Sequence, residues 1–134
     1  MRLWSYQLIP VLPNVMLVSQ WRECIAIKRQ WEKGTLKHRL VSYVMEYPKY
    51  YFYNYCKLVS DEMYNRNIKQ SQKLGIEILE FGYSEYASIN LMYSQHNDRY
   101  LKQCLYNLQE KYDRGIITPQ EWQLIYDNFK EYLD

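Results

Sequence analysis

Pro13-Asn14-Val15-Met16-Leu17-Val18-Ser19-Gln20-Trp21-Arg22-Glu23-Cys24-Ile25-Ala26-Ile27-Lys28-Arg29-Gln30-Trp31-Glu32-Lys33-Gly34 is the stretch that decides the fold. Leu17, Val18, Trp21, Cys24 and Ile25 recur at the i, i+3, i+4 and i+7 offsets that lay one apolar stripe along a helix. Pro13-Asn14 opens it, and Gly34 supplies the residue that most readily adopts the left-handed conformation ending a helix. A helix over 14–33 follows. Arg22 and Glu23 stand about 100° apart on it, beside the stripe, and Arg29 lies one heptad beyond Arg22. An Arg-Glu step of this kind is by itself an ordinary solvated pair.

Working outward, His38–Glu46 reads as a shorter helical segment stopped by Pro48. Lys49–Asn65 is a second long helix carrying Tyr51, Tyr55, Leu58, Val59, Glu62 and Met63 in its repeat. Residues 67–95 are ambiguous: Ile76–Phe81, bounded by Gly75 and Gly82, fits a short strand or part of a helix. Asn97-Asp98 starts a helix through Leu101, Cys104, Leu105 and Leu108 that Gly115 ends. Thr118-Pro119-Gln120-Glu121 combines an N-cap threonine, a proline at the first helical position and a glutamate three residues after the cap. It is a capping box opening a last helix. The expected architecture is all-α: a compact single domain over 1–134, three to five helices with irregular connections, and 116–134 as a C-terminal helical extension. A chain of 134 residues can bury a core without metals or disulfides.

The composition stands out for its 16 tyrosines, which make a chain that is 48% hydrophobic nonetheless polar, with a mean hydropathy of −0.57. Tyr47, Tyr50, Tyr51, Phe52, Tyr53 and Tyr55 crowd the second helix and must point around it. Packing against the first helix is the expectation for most, with stacking on bases as the alternative. Cys24, Cys56 and Cys104 are odd in number and contain no Cys-x-x-Cys pair, so reduced thiols in a cytoplasmic protein are expected. His38 and His96 lack the ligand spacing of a zinc site, so no metal and no cofactor are expected. His96, next to Asn97, reads as a capping-region histidine, with a phosphate contact as the alternative.

Pro10, Pro13, Gln7 and Asn14 interrupt the apolar start and distinguish it from a secretory signal, and no run reaches the ~18 apolar residues of a membrane helix. Net charge is +2, but residues 1–57 hold nine basic against three acidic side chains (+6) and the remainder eight against twelve (−4). A polyanion would approach the N-terminal half.

Met1-Arg2-Leu3-Trp4, then Leu12, Leu17 and Trp21-Arg22-Glu23, then Tyr47 and a second helix ending near 65–69 form a pattern that resembles the pyrimidine-dimer DNA glycosylase family, the phage endonuclease V type and its small bacterial branch. Gln95-His96-Asn97-Asp98-Arg99-Tyr100-Leu101 also looks like the bacterial branch. The similarity covers about half of the chain.

It implies an endonuclease V-like fold that flips a base from damaged double-stranded DNA and attacks the deoxyribose C1′ with its own α-amine, as a glycosylase with AP-lyase activity on pyrimidine dimers or related lesions. Glu23 would stabilise the cation that forms as the base leaves and would shuttle protons in the β-elimination. Arg22 would hold a phosphate or the carboxylate, and Arg2, Lys28 and Arg29 would contact the DNA backbone. An α-amine ordinarily has a pKa of about 7.7–8.0, against about 10.4 for lysine, so a useful fraction is a free nucleophile near neutrality.

Two positions depart from the phage pattern. Arg2 stands where a small residue would follow the removed initiator, and its bulk blocks that removal, which leaves Met1 to carry the amine. Ala26 stands where the phage enzyme has a further arginine, with Lys28 or Arg29 as the substitutes. The rival expectation is a noncatalytic helical module that binds nucleic acid or protein through its basic, tyrosine-rich surface.

Overall fold

The computed structural model describes residues 1–88 and 91–134, and among these no residue lies in a strand. Five α-helices follow in order: α1 (Asn14–Lys33), α2 (Lys49–Asn65), α3 (Gln72–Gly82), α4 (Asp98–Asp113) and α5 (Pro119–Leu133). Short 3-10 helices at Tyr6–Val11, Ser42–Glu46 and Glu85–Ser88 carry the number of helical segments above the three to five expected. The fold is all-α, as the periodicity required.

Local signals account for most boundaries. Gly34 takes φ 71° at the end of α1 and donates its N–H to the Gln30 and Trp31 carbonyls, satisfying groups that the helix itself cannot. At α5 the Thr118 hydroxyl accepts from the Glu121 amide at 3.2 Å while the Glu121 carboxylate accepts from the Thr118 amide at 2.9 Å, so the capping box is complete. Asn97 caps α4 by accepting from the Tyr100 amide at 3.0 Å.

The ambiguous Ile76–Phe81 is helical. Ser71 caps α3, Gly75 lies inside it rather than before it, and Gly82 sits where a Cβ would come within 3.0 Å of the Lys49 carbonyl and the Tyr53 Cβ. That close approach lets α3 lie tightly on α2. Between α1 and α2 only Ser42–Glu46 is helical, shorter than His38–Glu46. Tyr47, forced extended (φ −120°, ψ 158°) by the following proline, stops it.

One apolar cluster runs from Leu3 to Ile125 and fixes the arrangement. α1, α2 and α3 pack together, and Trp31 meets Phe52 and Phe81 edge-on at 5.9 and 5.2 Å. α5 lies on α4 and on the Tyr6–Val11 segment. Of the crowded aromatics, Phe52 and Tyr55 are buried, whereas Tyr47, Tyr50, Tyr51 and Tyr53 are half-buried, and Tyr47, Tyr51 and Tyr53 pack against the core as expected for most of the cluster. Arg66, just past α2, closes the N-terminal segment from below: its guanidinium donates to the carbonyls of Ile9, Pro10 and Leu12 and to Asn14 Oδ1 at 2.6–3.2 Å while pairing with Glu62 at 2.8 Å. Among the described residues no helix is long and apolar enough to cross a membrane.

Candidate active site

Residues 2–6 run as a single segment across α1, and neither helix nor sheet pairs the backbone of residues 2–4. A buried peptide must find partners. Here side chains supply them. The Arg2 amide donates to Glu23 Oε2 at 3.4 Å, and the Arg2 carbonyl accepts from Gln20 Nε2 at 2.9 Å. The Leu3 carbonyl accepts from the Tyr100 hydroxyl. The Trp4 amide donates to Gln20 Oε1 at 2.7 Å, and its carbonyl accepts from the Tyr55 hydroxyl at 2.6 Å. The Tyr6 amide donates to His96 Nδ1 at 3.2 Å.

This clamp presents the start of the chain to Glu23. The first residue packs half-buried against the core, and the contact with the Glu23 carboxylate runs through the Arg2 amide one residue on. Among the described residues the Met1 amine makes no ion pair of its own. An amine locked to a carboxylate would be held as the ammonium, whereas a nucleophile needs its lone pair. Gln20 Nε2 also donates to Glu23 Oε2, at 3.0 Å, so one carboxylate oxygen is fixed from two sides.

Arg2 turns its guanidinium inward, 5.6 Å from the Trp4 ring centroid. It lies close enough to Tyr100 and Cys104 to oppose the upward push that burial gives both groups. No carboxylate pairs with that guanidinium among the described residues. A half-buried cation with no carboxylate partner is suited to an anionic guest.

His96 sits beneath this segment, 6% exposed, ringed by Tyr6, Tyr43, Tyr55, Tyr93 and Tyr100 at centroid distances of 5.1–6.2 Å. Burial brings its pKa down to about 4, so the ring is neutral near pH 7. A backbone amide can only donate, which makes Nδ1 the acceptor and leaves the ring proton on Nε2, facing the Tyr43 hydroxyl at 2.6 Å. His96 thus stands in the capping region of α4, directly before Asn97, and is buried there. Asn97 alone caps α4.

The predicted residues divide into two groups. Met1, Arg2 and Glu23 come together. Arg22 is exposed on the adjoining face, by Val18, Ser19 and Ile68, and has no hydrogen-bond or ion-pair partner among the described residues.

Lys28 and Arg29 are drawn elsewhere. Lys28 pairs with Glu32 at 2.6 Å and Glu77 at 3.2 Å, while Arg29 grips the two Glu77 oxygens at 2.9 and 3.1 Å. The bonded Arg29 guanidinium, with Lys28 assisting against the opposing effect of burial, holds Glu77 at about 2. Their charges are matched within the fold and join α1 to α3, so each already has a carboxylate partner. Among the described residues no three His, Cys, Asp or Glu side chains gather into a metal-binding group.

Gln20, Tyr55, Tyr100 and His96 were not singled out by sequence reasoning as parts of the site. One signal was available: Gln20 and Lys28 both fall on the apolar stripe of α1, and a polar residue on a buried stripe implies a partner.

A helical fold that brings its N-terminal segment against a carboxylate and an unpaired arginine has the groups of an amine-and-carboxylate site for sugar chemistry. Residues 1–75 match the family model described as pyrimidine dimer DNA glycosylase, which puts the chain in the class of DNA-repair glycosylases. The match spans more than half of the 134 residues, and the chain belongs to that family. No curated protein and no solved structure is similar enough to count as a match.

Proposed function

We propose that this protein excises damaged pyrimidines, dimers foremost, through an imine formed by the Met1 α-amine, and then cuts the strand as an AP lyase. The observation that carries the proposal is the Arg2 amide at 3.4 Å from Glu23 Oε2, which brings the first residue of the chain alongside the carboxylate. The amine lone pair attacks C1′ of the deoxyribose and the N-glycosidic bond breaks, its electron pair leaving with the base, which takes up a proton. The attacking amine gives up one proton, the C1′–O4′ bond breaks with O4′ taking up a proton as the sugar ring opens, and an iminium that keeps the second N–H forms between Met1 and C1′.

Glu23 stabilises the developing positive charge and then removes a proton from C2′, whereupon the C3′ oxygen leaves with its phosphate. Water hydrolyses the remaining imine and frees the amine. Arg2 and the exposed Arg22 receive the flanking phosphates, contacts that position DNA without reading its sequence. With Lys28 and Arg29 engaged by Glu77, Arg2 and Arg22 are the cations we assign to DNA. Damaged pairs open at least cost, so lesion choice follows from the ease of unstacking. The compartment is the cytoplasm, where the buried Cys24, Cys56 and Cys104 stay reduced.

Incubation with duplexes carrying a cyclobutane dimer or an abasic site, followed by borohydride, tests the proposal. A covalent adduct mapped to Met1 is expected, with Glu23→Gln lowering its rate of formation about 10³-fold. Salt-sensitive binding with no adduct would leave only a noncatalytic binding module.

A further inference from the structure

Gln20 lies on the stripe between Leu17 and Cys24, 1% exposed, a position where an apolar side chain would be expected. Its amide is fully used. One Nε2 proton goes to the Arg2 carbonyl at 2.9 Å and the other to Glu23 Oε2 at 3.0 Å, while Oε1 takes the Trp4 amide at 2.7 Å with the Tyr55 hydroxyl 3.0 Å away. The amide orientation is fixed by these partners, because the reverse would set oxygen against two acceptors and nitrogen against a donor.

We propose that Gln20 is a positioning residue that sets the amine-bearing segment in register with the Glu23 carboxylate, an assignment that rests on the imine mechanism above. The two Nε2 protons point along fixed directions about 120° apart. The acceptors they reach are the peptide one residue from the amine and the acid that serves the same sugar. A planar, buried group thus sets the two reacting partners relative to each other, and it does so without reaching DNA. Glu23, half-buried and bonded on one side, would otherwise be free to turn toward solvent, and the Arg2 carbonyl and Trp4 amide would lose their partners.

Two variants test this. Gln20→Met keeps volume and burial but removes every hydrogen bond, and Gln20→Asn keeps the amide but draws it back by one methylene. Both are compared with the wild type on an abasic-site duplex, reading single-turnover adduct formation at saturating protein, the Kd for the duplex, helical circular dichroism, and hydrogen exchange at the Arg2 and Trp4 amides.

Displacement of reacting groups by about 1 Å costs on the order of 100-fold, so adduct formation is expected to fall about 100-fold in Gln20→Met and about 10-fold in Gln20→Asn. Kd and helicity should stay at the wild-type values, while exchange at Trp4 quickens and that at the α4 core does not. A folded variant that forms adduct at the wild-type rate overturns the assignment. So does a rate that falls only in proportion to binding or to the folded fraction, since that marks a purely structural glutamine. A wild-type protein that forms no adduct overturns the imine mechanism itself, an outcome distinct from an unaffected Gln20 variant in a competent enzyme.

Discussion

The two halves of α1 hold their surroundings by opposite means. Around its first half the grip is neutral and buried: Gln20, Tyr55, Tyr100 and His96 bond the backbone of residues 2–6. Along its second half it is ionic and partly wet, with Lys28 and Arg29 reaching across to Glu77, whose side chain is 20% exposed. A neutral amide or phenol loses little on leaving water if each proton finds an acceptor, and in a low dielectric its bonds are short and directional. An ion pair near the surface exchanges strong hydration for modest attraction and tolerates movement. The first arrangement suits a segment that must be placed to a fraction of an ångström, the second a joint between two helices.

The largest test of this contrast is pH. His96 titrates near 4 in the folded protein against an ordinary value of about 6.5, so on acidification the unfolded chain takes up this proton first. Stability is therefore lost as pH falls from about 6.5 to about 4. At ~1.4 kcal/mol per unit the loss is roughly 3 kcal/mol. Urea unfolding between pH 7 and 4 should show it, and His96→Asn should flatten that slope. An unchanged slope in the variant would place the acid sensitivity elsewhere.

Tyr100→Phe comes next. It removes the donor from the Leu3 carbonyl but keeps the ring, for an expected cost of about 1–2 kcal/mol in urea unfolding and faster exchange near the N-terminus. A neutral result would mean that the segment is held by its apolar side chains alone.

The smallest effect is expected for Glu77→Gln. Because the folded pKa of Glu77 is lowered to about 2, what it contributes is present above its ordinary value near 4.5 and is lost as pH falls toward about 2. The variant should lose pH dependence in that lower window only. Salt near 1 M, with a Debye length of about 3 Å, should narrow the gap between variant and wild type while leaving the Tyr100→Phe deficit unchanged. Equal salt sensitivity in both variants would erase the distinction between the two halves of α1.

Much of this was legible in the chain. The limits of α1 and α2, the capping box at Thr118, the Asn97 cap and the all-α class follow from short-range rules that residues obey among near neighbours. Family resemblance singled out Met1, Arg2, Arg22 and Glu23, of which the fold sets the Met1-Arg2 segment against Glu23. Ile76–Phe81 was not, because a run of six largely apolar residues satisfies either period until the close approach at Gly82 chooses the helix. The pairing of Lys28 and Arg29 was hidden for a different reason: their partner Glu77 lies 48 or 49 positions away, and no local pattern joins them to it. His96 lies in the capping region, as its place beside Asn97 indicated, but its bond to the Tyr6 amide 90 positions away is written in no local pattern.

The sequence by itself determined where helices begin and end, which stripe of each turns inward, and the family to which the chain belongs, because caps and periodicity act over three or four residues. Only the tertiary structure decided which polar side chains go inside with those stripes, and so which of the cations stay free. It also brought Tyr100 to Leu3 across 97 positions and His96 to Tyr6 across 90. Such meetings depend on how helices stack, which is set by the packing of the whole core, while a buried hydrogen bond is satisfied only when its partner arrives within about 3 Å.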